Sequence, residues 1–166
     1  MTATTDPNLA LIRDSLALKR EIGDGYSQLA EQLENFNNPA AAASFLKLAE
    51  QQQQHIQRLA ALASEHSGSD LSLSVRVDQA SPADDINASS HYLMTPYHAV
   101  ALALEIEETT QNTLLDRLGI SANDPQSQSQ QQEHARHIQV LQQLLSNCPT
   151  PPEHWDEDLD PPFLDD

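Results

Sequence analysis

Four times in this chain a residue that caps helices stands directly before a proline: Asp6-Pro7, Asn38-Pro39, Thr95-Pro96 and Asp124-Pro125. The side-chain oxygen of the first residue accepts a backbone N–H that the opening helical turn leaves free. Proline in the first helical position has no N–H to leave unpaired. The spacing therefore predicts four helices, over about residues 7 to 36, 39 to 66, 96 to 118 and 125 to 147. Composition agrees, because Ala, Leu and Gln are plentiful and aromatic residues make up 4%, and the abundant types lose little freedom in a helix. An all-α chain is expected, and its 166 residues suffice for one globular core.

Within each predicted helix, apolar residues recur at three- and four-residue steps. The seam of helix 1 reads Leu9, Ile12, Leu16, Lys19, Gly23, Tyr26, Ala30, Leu33, and that of helix 2 reads Phe45, Leu48, Gln52, His55, Leu59, Leu62. Helix 3 gives Tyr97, Ala101, Leu104, Glu108, Gln111, Leu115, Leu118, and helix 4 gives Gln130, His134, His137, Leu141, Leu144, Cys148. Short joints, "NFNNP" and "GISANDP", make helices 1 and 2, and helices 3 and 4, antiparallel neighbours. Residues 67–95 between helices 2 and 3 are long enough to run the length of a bundle, and the strand-like "LSLSVRV" within them is too isolated to form a sheet. Two antiparallel hairpins joined by a long crossover describe a ferritin-like four-helix bundle. An internal repeat fits this topology: "QQQQHIQRLAALAS" (51–64) aligns with "EHARHIQVLQQLLS" (133–146), placing His55 on His137 and Gln52 on His134.

Every seam is interrupted by polar residues at a similar depth: Lys19, Gln52, His55, Glu108, His134 and His137. Buried polar groups cost several kcal/mol unless something satisfies them. His134 and His137 lie one helical turn apart on one face, a usable chelating pair, with His55 facing them from the other hairpin and Glu108 completing an N₃O set around one divalent zinc or iron. Against this stands a metal-free alternative, in which Lys19 pairs with Glu108 or Glu107 and the core is a salt-bridge network. Tyr26 would line the site with its hydroxyl seeking a partner. His66, His91, His98 and His154 fall at helix ends or on surface faces and are given no site role.

Through "ALKREIGDGYSQLAEQL", "FLKLAEQQQQHIQRLAALA", "HAVALALEIEETTQNTLLDRL" and "EHARHIQVLQQLL", about residues 7 to 147 resemble the rubrerythrin branch of the ferritin-like superfamily. The resemblance implies one Glu each from helices 1 and 3 and Glu-x-x-His from helices 2 and 4, holding two irons in a protein that reduces peroxide. His55 and His137 match the family histidines. Their glutamate partners are replaced by Gln52 and His134, and Lys19 stands where the helix 1 glutamate belongs, with Glu21 the nearest substitute. In helix 3 Glu108 aligns best, with Glu107 or Glu105 next. Lys19, Gln52, Glu108 and His134 sum to zero charge with neutral histidines, which argues against a conventional di-iron centre. An altered mononuclear site, with metal-binding or oxidative-stress chemistry, is the expectation. A homodimer is expected from the same resemblance.

The formal charge of −17 excludes nucleic acid and anionic membranes as natural partners, since both bind clustered Lys and Arg. Cys148 is the one cysteine, so there is no intrachain disulfide, redox pair, rubredoxin domain or Cys-ligated centre, and the thiol is expected to be inert. The first residues lack a basic segment followed by an apolar one, and no apolar run approaches the roughly 18 residues that span a membrane; a cytoplasmic location is expected. Composition divides the chain into a bundle over 1–148 and a tail over 149–166. The tail, "CPTPPEHWDEDLDPPFLDD" with its preceding cysteine, joins prolines and acids to two apolar anchors, Trp155 and Phe163. A solubilising tail or a segment that engages a partner or neighbouring subunit are its two readings, and the second gives the competing function: a non-catalytic interaction protein.

Overall fold

The computed structural model describes residues 7–67, 86 and 88–157. Four long helices build it: α1 (Pro7–Asn35), α2 (Pro39–Ser67), α3 (Pro96–Leu118) and α4 (Gln128–Asn147). No strand occurs among the described residues, and "LSLSVRV" lies outside them. Each of the four prolines opens helical structure, but Pro125–Ser127 is a 3₁₀ turn that leads into α4. None of the described helices is long and apolar enough to cross a membrane.

Local chemistry fixes the ends. Asn38 Oδ1 accepts the Ala41 N–H at 3.3 Å, and Asn38 Nδ2 donates to the carbonyls of Tyr92 and Met94 at 2.9 and 2.8 Å. One capping residue thus starts α2 and ties the α1–α2 corner to the approach of α3. The N–H of Thr95 donates to His98 Nδ1 at 3.1 Å, a capping arrangement at the start of α3. Gly119 closes α3 with φ at 65°, a left-handed conformation that a side chain disfavours, and Ile120 N–H reaches the Leu115 carbonyl at 2.9 Å.

Every pair of the four helices is in contact. The partners in the apolar clusters give the directions. Early α1 (Ile12, Leu16) packs with late α2 (Ile56, Leu59), and late α1 (Tyr26, Leu33) with early α2 (Ala41, Phe45), so the two run antiparallel. Early α1 (Leu11, Leu18) also meets late α3 (Leu114, Leu115), which makes α3 run with α2. The end of α2 and the start of α3 consequently lie at opposite ends of the molecule. Leu141 of α4 joins the cluster of Ile22, Tyr26, Phe45 and Ala103, so α4 runs with α1.

Between these apolar layers lies a polar one. Lys19 separates Leu16 from Ile22 on α1, Gln52 and His55 separate Leu48 from Leu59 on α2, and Glu107 separates Ala103 from Leu114 on α3. On α4, His134 and His137 fill the interval between Gln130 and Leu141, and all of these side chains are buried. Toward the α1 start, Gln111 and Gln130 exchange amide hydrogen bonds at 3.1 and 3.3 Å, and Gln130 donates to Ser15 Oγ at 3.0 Å. That triad fixes α4 in register against α1 and α3, because a slip would strand three buried polar groups.

Candidate metal site

Periodicity carries each polar side chain inward, but on α3 the buried position is Glu107. Glu108, the expected carboxylate, is exposed. The expected α3 seam holds at Gln111 and Leu115, which are buried, but not in the first half of the helix, where Ala99, Val100, Ala103, Ile106 and Glu107 face inward and Tyr97, Ala101 and Leu104 are half-buried. With apolar residues on several sides of α3, spacing alone does not choose among its faces. Glu105 is exposed and Glu21 half-buried on α1, and it is Lys19 that enters the layer.

Lys19 Nζ lies 2.6 Å from Glu107 Oε2. His134 Nδ1 stands 3.9 Å from the same oxygen, and His137 Nε2 stands 3.7 Å from Glu107 Oε1. The His55 ring faces both, with centroids 4.7 Å from His137 and 6.4 Å from His134. Gln52 Nε2 donates to the Lys19 carbonyl at 3.3 Å, and Tyr26 packs on Phe45 with ring centroids 5.8 Å apart.

The layer holds a cluster of buried polar atoms without hydrogen-bond partners: both ring nitrogens of His55, His134 Nδ1, Glu107 Oε1, Gln52 Oε1 and the Tyr26 hydroxyl. Natural interiors hold only a few such groups per hundred residues, and a cluster of them calls for a physical cause. Burial first, and then the Lys19 charge, push the His55 imidazole down to about 2 and that of His134 down to about 3; both are neutral near pH 7 and keep a free lone pair. Burial works against ionising Glu107, but the Lys19 ammonium, with His137 and His134, outweighs it and holds the carboxyl well below its usual range. Burial and then the Glu107 charge raise the Tyr26 hydroxyl, so it stays a phenol.

Two irons do not fit this donor set: its one buried carboxylate is already neutralised by an ammonium, and four added positive charges in a dry core would go uncompensated. A single divalent ion fits better. Tetrahedral ligand atoms about 2.1 Å from zinc lie about 3.4 Å from one another, and the His137–Glu107 and His134–Glu107 separations exceed that by a few tenths of an ångström. As the side chains stand, no three His, Cys, Asp or Glu among the described residues are already arranged around an ion position; ring rotation and release of Glu107 from Lys19 are required.

Outside the layer, sequence reasoning missed the role of His91 and His98. The Trp155 ring lies 3.8 Å from that of His98 and meets His91 edge-on at 5.3 Å, and it packs on the main apolar cluster of its own chain. His91 Nδ1 accepts the Leu93 N–H at 3.1 Å and stacks on Tyr92. The signal was faint, an aromatic-rich "HYLMTPYH" beside a helix start. Phe163 lies outside the described residues. Comparison with protein-family models, curated proteins and solved structures gives no match.

Proposed function

We propose that this protein is a metal-binding bundle of the ferritin-like type, rubrerythrin-like in its helix order, with a mononuclear site. His55, His134 and His137 supply imidazole nitrogens and Glu107 one carboxylate oxygen for a divalent zinc or iron. The carrying observation is the convergence of unpartnered buried atoms from α2, α3 and α4 in one layer. Neutral imidazoles suit ligation, since a metal takes the lone pair that a proton would occupy. Helix order and direction support the ferritin-like reading, as parallel α2 and α3 require a connection returning along the bundle.

A bound ion would supply Lewis-acid chemistry if zinc, or one-electron chemistry if iron. The chain's own residues set the conditions. Apolar layers above and below exclude bulk water, Glu107 offsets charge, and Lys19 competes with any cation for Glu107 Oε2. Tyr26, kept protonated, can donate a hydrogen bond into the layer.

The 2.6 Å Lys19–Glu107 pair favours one rival reading: a self-compensated, metal-free core in a protein that acts through its surfaces. Iron and zinc quantified by mass spectrometry on untagged protein purified without chelators decide between them. One ion per chain, lost in both His134→Ala and His137→Ala, supports the metal site; wild-type protein without iron or zinc, or variants with full metal content, refutes it.

A further inference from the structure

Beside the polar layer, α1 and α2 leave a groove of about 320 Å³ on the outer face of the molecule, room for several waters. Arg20, Asp24 and Ser27 give it a polar rim, and the small residues Gly23 and Ala49 line it. Gln52 lines it too, although its side chain is fully shielded from solvent and its Oε1 has no partner. A side chain at Gly23 would lie against the methylenes of Gln52: a Cβ built there comes 3.6 Å from Gln52 Cγ. One turn from Gly23 on α1 is Lys19, and one turn from Gln52 on α2 is His55. The Gln52 side chain thus borders the groove one helical turn from His55, and its amide donates a 3.3 Å hydrogen bond to the Lys19 carbonyl.

We infer that this groove is the mouth through which a small hydrated cation reaches the central layer, with Gln52 as its movable floor. The inference rests on the metal reading above. An amide oxygen is a competent ligand for a partly dehydrated divalent ion, so Gln52 Oε1 can take the ion from the rim and pass it to His55 by a side-chain rotation. Asp24 attracts the cation at the rim and Arg20 opposes it, within a strongly negative chain.

Cobalt(II) is a suitable probe, because its visible absorption reports ligation as it happens. Stopped-flow uptake is compared for the wild-type chain, Gly23→Leu and Gly23→Ala, with final cobalt content measured separately. A leucine filling the mouth is expected to slow uptake about tenfold or more without changing the final stoichiometry, and alanine to slow it less. Equal rates at full stoichiometry overturn the route and leave the metal site standing. No cobalt uptake by the wild-type chain overturns the metal reading and the route with it. Should Gly23→Leu lose its fold by circular dichroism, Gly23→Ala decides: slower uptake supports the route and an unchanged rate overturns it.

Discussion

Lys19 Nζ and Glu107 Oε2 meet 2.6 Å apart with both side chains withdrawn from solvent, so α1 and α3 are joined by an ion pair at the centre of the molecule. Breaking one side of such a pair leaves a charge stranded in low dielectric. Lys19→Met should therefore lower unfolding free energy by about 3 kcal/mol near neutral pH, measured by urea denaturation. Saturating zinc should restore much of that loss, since the ion takes over the role of the ammonium. A variant as stable as wild type and indifferent to zinc would show that neither partner needs the other.

Acid should destabilise the fold through the same layer. Unfolded, His55 and His134 take up protons near their ordinary 6.5, whereas folded they are held down to about 2 and about 3. Their contribution is complete above pH 6.5 and is lost as pH falls toward 3, each adding up to about 1.4 kcal/mol per pH unit to the slope. Glu107, depressed from 4.5, adds a further loss in more acidic solution. Urea midpoints at pH 7.5, 6.0 and 5.0 test this, and His134→Gln should flatten the profile by about one proton's worth.

The Gln111–Gln130–Ser15 triad gives a prediction independent of any metal. Gln130→Ala removes three hydrogen bonds and leaves Gln111 and Ser15 buried with polar atoms unmet, at a cost of about 2 to 3 kcal/mol. Thermal unfolding at constant pH reads this directly. Exposed Gln132 on the same helix, changed to alanine, should leave stability nearly unaltered.

Trp155 is the one tryptophan of the chain, so intrinsic fluorescence reports the docking of residues 149–157 on the bundle. His98→Ala removes the ring that packs against it and should shift emission to the red. Trp155→Ala should cost about 1 to 2 kcal/mol, less than a fully buried aromatic because the ring is half-buried. Unchanged emission in His98→Ala would mean that the indole does not rest there in solution.

Among the described residues the four long helices were legible, because helix starts depend on local chemistry and a capping side chain before proline acts within one turn wherever the helix goes; only α4 begins later than expected, at Gln128, after the 3₁₀ turn that Pro125 opens. The polar seam positions of α1, α2 and α4 were legible too, namely Lys19, Gln52, His55, Gln130, His134 and His137, although α1 also buries Leu11, Leu18, Ile22 and Leu29 outside its expected seam because it packs on α3 as well as α2. On α3, apolar residues on several sides blurred that signal, so the sequence pointed to Glu108 first, whereas the fold buries Glu107 against Lys19 and leaves Glu108, about 100° away around the helix, exposed. The docking of Trp155 on His98 was not legible, since a contact between residues far apart in sequence leaves no periodic trace.

By itself, the sequence determined the four long helices of the described residues, the capped prolines that open them, and a set of polar residues that periodicity carries into the interior. Only the tertiary structure decided which carboxylate meets Lys19, which buried nitrogens are left unpartnered, and that Trp155 packs on its own bundle. The division has one physical cause: helix starts and stripes follow from interactions within a few residues, whereas partner choice depends on the rotation and register of helices packed against one another.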